Sequence, residues 1–313
     1  MSTIWLCPGQ GAQKVGMGKD LAERFSDARA VFDAIDTALG VELSRIMFEG
    51  PEEDLTATQN AQPAILAHTA AVFTIVRTKL GDAVTAAGHS LGEYSAYITA
   101  GALDAAAAAK LVRRRGELMQ KAGEERPGTM AAVLGLATKE VEAACEETSQ
   151  QASIAVAANI NAPDQTVISG DPDAVTRAGE ACKKRGAKRV IPLKVSGAFH
   201  SPLMGPAQNH LQLALERAAF ADPVFPVIAN ATAEAVKDAG RARRLLADQL
   251  TTAVRWVECM QHAARMGDEG GGARFIEIGP GQVLAGLLKR IVPEANVVSL
   301  GTAAEVTKFM EAA

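Results

Sequence analysis

Ser90 is the residue on which chemistry can be built, because Gly88-His89-Ser90-Leu91-Gly92 has the G-x-S-x-G spacing of a nucleophile elbow. Ahead of it, Asp82-Ala83-Val84-Thr85-Ala86-Ala87 reads as a buried strand, and Glu93-Tyr94-Ser95-Ala96-Tyr97-Ile98 opens a helix after it. A serine at the tip of that bend stands free of the backbone. The helix behind it aims N–H groups and the positive end of its dipole at any negative charge developing on a substrate. The plainer reading is an ordinary strand-to-helix turn with serine at the helix cap. The two part ways on whether the chain supplies a base, an oxyanion donor and a substrate anchor.

Five histidines are available as bases: His68, His89, His200, His210 and His262. His68, His210 and His262 fall in helical stretches as surface or packing residues, and His89 sits in the elbow with its ring directed away from Ser90. His200 stands in a loop, Ser196-Gly197-Ala198-Phe199-His200-Ser201-Pro202, where a base belongs, although a loop histidine can equally be inert. The run Arg113-Arg114-Arg115 lies on a helix from about Asp104 to Gln120. At 100° per residue, with Leu111, Val112, Leu118 and Met119 as the apolar face, Arg115 points inward, Arg114 lies at the edge and Arg113 opposite. A buried guanidinium needs a planar anionic partner, supplied either by an internal carboxylate or by a substrate. The turn Pro8-Gly9-Gln10-Gly11 lacks the third glycine of a dinucleotide fingerprint, and no phosphate-binding G-x-x-x-x-G-K-[ST] occurs. Instead, the Gln10 N–H could face Ser90 and form a two-donor oxyanion hole with the N–H of Leu91. No acidic residue after the elbow stands out as an orienter for His200. Gln249, at a helix end, could accept from the imidazole through its amide oxygen.

The elements that must position these residues follow an α/β rhythm. Ile4-Trp5-Leu6-Cys7 is a strand, helical patterning runs from Gly18 to about Leu39 and from about Gln62 to Leu80, and the elbow strand follows, the order expected of a helix-wrapped parallel sheet. Between Gly128 and Leu193 the rhythm becomes βαββαβ: a strand over 129–136, a helix over 139–148, strands over 154–159 and 165–169 about a turn at Asn161-Ala162-Pro163-Asp164, a helix over 172–185 and a strand over 189–193. This is a ferredoxin-like module, inserted at 127–195 between the two parts, 1–126 and 196–313, of a larger domain. The larger domain resumes with a helix over 211–219, a strand over 225–229, a helix over 239–250 and a strand over 274–278. Gly270-Gly271-Gly272 reads as a flexible loop before that last strand, and Gly279-Pro280-Gly281 as a second strand-to-helix glycine turn.

With 313 residues, 48% of them hydrophobic, the chain can bury a substantial core, and its net charge of -4 leaves no general basic surface for nucleic acid. Four scattered cysteines without a C-x-x-C pair argue against zinc or a disulfide framework and for thiols in a reducing cytoplasm. No signal sequence and no apolar run of about 18 residues is present, so neither secretion nor a membrane location is expected.

Taken together, Pro8-Gly9-Gln10-Gly11-Ala12-Gln13, Gly88 to Ala96, Arg115-Gly116, Gly197-Ala198-Phe199-His200-Ser201-Pro202-Leu203-Met204, Gln249 and Glu277-Ile278-Gly279-Pro280-Gly281 resemble the malonyl-CoA:acyl carrier protein transacylase family, in order and over nearly the full length. The resemblance implies an α/β-hydrolase-like large domain carrying the inserted ferredoxin-like module. It implies Ser90 as nucleophile, His200 as base held by a main-chain carbonyl or an amide, Gln10 and Leu91 as backbone oxyanion donors, Arg115 as the ligand of the malonyl carboxylate and Gln249 as a residue lining the site. Phe199 resembles the bulky residue that disfavours an α-methyl group in related polyketide enzymes, although Gly197 departs from the polyketide form of that motif. The implied reaction moves malonyl from malonyl-CoA to an acyl carrier protein of fatty acid or polyketide synthesis, in a monomer without metal or cofactor. Its rivals are a serine esterase or thioesterase with the same elbow, and a noncatalytic module that docks carrier proteins.

Overall fold

Ile4-Trp5-Leu6-Cys7 and Ala86-Ala87 are apolar on successive positions, as strands covered on both faces must be, and all six side chains are buried. A computed structural model of the protein describes residues 2–268 and 272–312. Among them ten strands form, β1 (Ser2–Cys7), β2 (Ala83–Gly88), β3 (Thr129–Leu134), β4 (Ala155–Ala162), β5 (Gln165–Gly170), β6 (Arg189–Pro192), β7 (Val227–Ile228), β8 (Ala235–Val236), β9 (Ala273–Ile278) and β10 (Asn296–Leu300). Six of them make one sheet in the order β10-β9-β1-β2-β7-β8, parallel throughout except for the β7–β8 pair at its edge. The other four make a wholly antiparallel sheet in the order β4-β5-β3-β6, with helices Thr138–Thr148 and Pro172–Lys184 as its connections.

Alternation along β1 divides the core of the large sheet. Trp5 and Cys7 pack with helices Ser26–Leu39, Thr58–Val76 and Ala105–Glu125 on one face, whereas Ile4 and Leu6 pack with helices Trp256–Asp268 and Val283–Ile291 on the other. Val133 and Ile168 of the small sheet bury against Val141, Cys145 and Val175 of its own two helices, a separate core. A backbone tie joins the two parts: Ile160 N–H donates to the Val254 carbonyl at 2.9 Å, and Val254 N–H donates to the Ala158 carbonyl at 2.8 Å. On β9, the buried Glu277 carboxylate accepts from the N–H groups of Leu284 and Ala285 at 2.9 and 3.0 Å. It thereby satisfies the free donors at the start of the helix after Gly279-Pro280-Gly281.

Departures from the sequence expectations have local causes. The pattern from Gly18 to Leu39 splits into helices Lys19–Arg24 and Ser26–Leu39 because Phe25 turns extended between them. The long helix expected from about Gln62 starts earlier, at Thr58, and ends at Val76. The strand expected to reach residue 136 stops at Leu134, where Gly135 adopts φ +76° and donates to the Asp164 carbonyl. The expected four-residue turn narrows to Pro163-Asp164, because β4 continues until Ala162 pairs with Gln165. The strand expected over 225–229 is only Val227–Ile228, and the helix expected over 211–219 runs from Gly205 to Arg217. The half-exposed edge strand β10 was not foreseen. Gly270 and Gly271 of the expected loop lie outside the described residues; Gly272 is described, at φ +100°.

Candidate active site

The elbow demands glycine at both ends. A Cβ on Gly88 would lie 1.9 Å from the Gly92 carbonyl carbon, and one on Gly92 would lie 2.2 Å from the Cys7 carbonyl oxygen. Neither contact can be relieved without moving backbone. Between them Ser90 takes φ 53°, the left-handed region that costs a non-glycine residue about 1–3 kcal/mol. Asn230, just past β7, holds that conformation: its Oδ1 accepts the Ser90 N–H at 2.7 Å and its Nδ2 donates to the Gly88 carbonyl at 2.8 Å.

His200 meets Ser90 from the loop beyond the small sheet, itself at φ 57°. Ser90 Oγ lies 2.8 Å from His200 Nε2, and His200 Nδ1 lies 2.8 Å from the Gln249 main-chain carbonyl oxygen. A carbonyl only accepts, so the ring proton is on Nδ1 and Nε2 keeps a free electron pair toward the Ser90 hydroxyl. Burial, aided by the nearby Arg115 charge, lowers the His200 pKa to about 3, so the imidazole is neutral at pH 7. Gln249 is thus the orienter, but through its main chain rather than through the amide the sequence suggested. The amide is committed elsewhere: Oε1 accepts from Arg115 Nη2 at 2.9 Å, and Nε2 donates to the Ser90 carbonyl at 3.0 Å and to Glu93 Oε2 at 2.7 Å.

Arg115 is 1% exposed, on the inner face of Ala105–Glu125. Besides Gln249 it donates from Nη1 to Gln62 Oε1 at 2.7 Å and from Nη2 to Ser90 Oγ at 3.0 Å, while its buried Nε has no partner among the described residues. Among those residues no carboxylate forms an ion pair with it, which rules against the internal salt bridge. Arg113, expected on the opposite side, is less exposed than Arg114, because it reaches across to Gln59 and Asn60 on the neighbouring helix.

Gln10, Ser90, Arg115, Phe199 and His200 line one cavity of about 350 Å³ between the two sheets, opposite Met130, Val167 and Leu193 of the small one. Leu91 and the Gln249 side chain lie behind its wall, fully buried. Among the described residues neither the Gln10 N–H nor the Leu91 N–H donates to another protein group. His89 also lines the cavity, but its Nε2 is turned 2.8 Å from Asn161 Oδ1 on β4, away from the Ser90–His200 pair. Of the remaining histidines, His68 is buried against the Gly301 carbonyl, His262 bonds the Ala233 carbonyl and His210 is exposed. All four cysteines are free and buried, and among the described residues no three acidic, histidine or cysteine side chains gather as a metal site. No helix among them is long and apolar enough to cross a membrane.

Sequence reasoning missed Asn230, Gln62 and the role of Glu93. Glu93 carried a signal: it is the one acidic residue in the short helix Gly92–Thr99, which is otherwise apolar or small apart from its aromatic hydroxyls, and it is fully buried. Burial raises its pKa to about 7, against the opposing effects of Asn230, Gln249 and Arg115. Asn230 and Gln62 offered no pattern beyond polarity inside apolar stretches.

The family model described as acyl transferase domain matches residues 4–310. The chain is 42% identical to the malonyl CoA-acyl carrier protein transacylase of Bacillus subtilis, over 93% of this chain and 91% of that protein. Two solved structures superpose closely: an acyl carrier protein S-malonyltransferase from Vibrio cholerae (TM-score 0.92, 40% identity, 98% and 99% covered) and a malonyl-transacylase in complex with its type II PKS acyl-carrier protein (TM-score 0.93, 40% identity, 99% of each chain). The chain therefore belongs to the acyl transferase family and, within it, to the malonyl CoA-acyl carrier protein transacylases.

Proposed function

We propose that this protein transfers a malonyl group from malonyl-CoA to the phosphopantetheine thiol of an acyl carrier protein, through malonyl-Ser90. The observation that carries the reading is Arg115: a buried guanidinium with no bonded carboxylate among the described residues, 3.0 Å from the Ser90 oxygen. A cation so placed is suited to an acyl group that brings its own carboxylate.

In this reading His200 Nε2 takes the Ser90 proton as Oγ attacks the thioester carbon, and the oxyanion rests on the N–H groups of Gln10 and Leu91. When the tetrahedral adduct collapses, the carbon–sulfur bond breaks, the imidazolium protonates the departing CoA sulfur, and malonyl-Ser90 remains. The carrier thiol repeats the sequence in reverse: His200 takes its proton, sulfur attacks the same carbonyl, and the Ser90 oxygen leaves with that proton. Arg115 Nη2 donates to both Ser90 Oγ and Gln249 Oε1, so a substrate carboxylate bound to it would compete with those bonds and release the Ser90 oxygen for attack. Phe199 restricts space beside the acyl α-carbon. No metal or cofactor enters any of these steps.

The fold assignment belongs with this reading: an α/β-hydrolase-like large domain from 1–126 and 196–313, with a ferredoxin-like domain inserted at 127–195. The strand orders and the separate core of the small sheet support it. We also infer a cytoplasmic monomer, in keeping with the buried thiols.

Incubation with radiolabelled malonyl-CoA should place label on Ser90, and reduced carrier protein should then remove it onto its own thiol. Release of free malonate on standing in water would instead indicate the esterase, and absence of label the docking module. Running the chase against carriers of fatty acid and of polyketide synthesis identifies the acceptor.

A further inference from the structure

Behind Ser90, His200 and Arg115 lies one carboxylate oxygen on which all three converge. Glu93 Oε2 accepts from Gln249 Nε2 at 2.7 Å and from the Asn230 N–H at 2.9 Å. Gln249 in turn bonds Arg115 through its amide oxygen and His200 through its main-chain carbonyl, and Asn230 bonds the Ser90 N–H. The second carboxylate oxygen, Oε1, is buried and has no partner among the described residues. Arg115 is therefore separated from the site's buried carboxylate by one amide. A direct ion pair would occupy the guanidinium, whereas no carboxylate at all would leave it uncompensated.

We propose that Glu93 is a positioning residue with a second duty: its oxygen fixes Gln249 and Asn230, and its charge sets how strongly Arg115 holds an acyl carboxylate. The inference rests on the malonyl reading above. The groups facing Glu93 leave it as a single adjustable charge beside Arg115. Tyr94, Tyr97 and Cys259, the other titratable neighbours, are each pushed up by burial and stay neutral. With its own pKa raised to about 7, Glu93 changes charge within the working range. Below that value the protonated acid leaves Arg115 free to draw in a carboxylate; above it the carboxylate anion competes across the Gln249 amide.

The experiment measures KM and kcat for Ser90 loading from malonyl-CoA and from acetyl-CoA between pH 6 and 8, in the wild-type protein, Glu93→Gln and Glu93→Ala. In the wild type the malonyl KM should rise roughly three- to tenfold across that range while the acetyl KM stays level. Glu93→Gln keeps an acceptor where Oε2 stands and loses the charge, so the malonyl KM should become low and independent of pH. Glu93→Ala removes the acceptor, and loading from both donors should slow by roughly ten- to a hundredfold. A malonyl KM that does not vary with pH in the wild type, or that still varies in Glu93→Gln, overturns the charge role, and full activity in Glu93→Ala overturns the positioning role. Absence of malonyl label on wild-type Ser90 would instead sink the malonyl reading itself, so the two failures are distinct.

Discussion

At the scale of single residues the site depends on two side chains in conformations that residues with a Cβ avoid. Ser90 and His200 both sit near φ 55°, and each is pinned by neighbours: Ser90 by Asn230, His200 by the Gln249 carbonyl. In the proposed reaction Arg115 carries the selectivity. Arg115→Ala should reduce malonyl loading by about a hundredfold or more while acetyl loading changes far less, since the lost interaction is a charge-assisted pair made only with the malonyl carboxylate. Equal losses on the two donors would remove that role from Arg115. The sequence showed the inward direction of Arg115, because helical periodicity is fixed by geometry. It could not show that Gln249 presents its carbonyl rather than its amide, because that choice depends on contacts with Arg115 and Glu93, which arrive from other elements.

At the scale of elements the elbow is a close packing of three backbones, β1, β2 and the helix Gly92–Thr99. Because a Cβ at position 92 would stand 2.2 Å from the Cys7 carbonyl oxygen, Gly92→Ala should force β1 and that helix apart. A loss of about 2 kcal/mol or more is expected in urea unfolding, with Ser90 labelling lost alongside. Gly281→Ala, at φ +78° and with only Ala12 Cβ at 3.9 Å, is the control for conformational strain without a clash and should leave labelling intact. Long periodic helices such as Ala105–Glu125 and the βαββαβ rhythm were legible, since amphipathic spacing repeats over many residues. β7 and β10 were hard to read for opposite reasons. β7 pairs through only two residues, and β10 is a half-exposed edge strand without the apolar run of its central neighbours. Helix Trp256–Asp268 was legible only as a helical stretch around His262, without bounds, although it shares one face of the large sheet with Val283–Ile291.

At the scale of the whole molecule, buried neutral imidazoles make folding sensitive to acid. His68, 3% exposed, has its pKa lowered to about 4, and His200 to about 3, both by burial. Their pKa values are lower folded than the ordinary 6.5, so below that value the unfolded chain binds more protons. The stability these rings contribute is complete above pH 6.5 and is lost progressively as pH falls toward 4 and then 3. The melting temperature should therefore drop on acidification from pH 6.5 to 4. A His68→Gln variant should show a shallower drop than the wild type; an unchanged slope would remove His68 from the account.

The neutral state of His200 bears on a competition that the two half-reactions share. An imidazole that is neutral at pH 7 can take a proton from water as well as from a thiol, so the base alone does not exclude hydrolysis of the ester proposed on Ser90. That exclusion falls to access. Met119, Met130, Val167, Leu193 and Phe199 form the apolar part of the cavity around Ser90, beside polar Gln10, Asn159, Asn161 and Lys194, and a pantetheine arm lying along that apolar part would displace water from the proposed acyl-Ser90. On the proposed mechanism, trimming Met130 or Leu193 should admit water to the malonyl-Ser90 ester and turn the reaction toward hydrolysis, read as a rise in free malonate over carrier-bound malonyl.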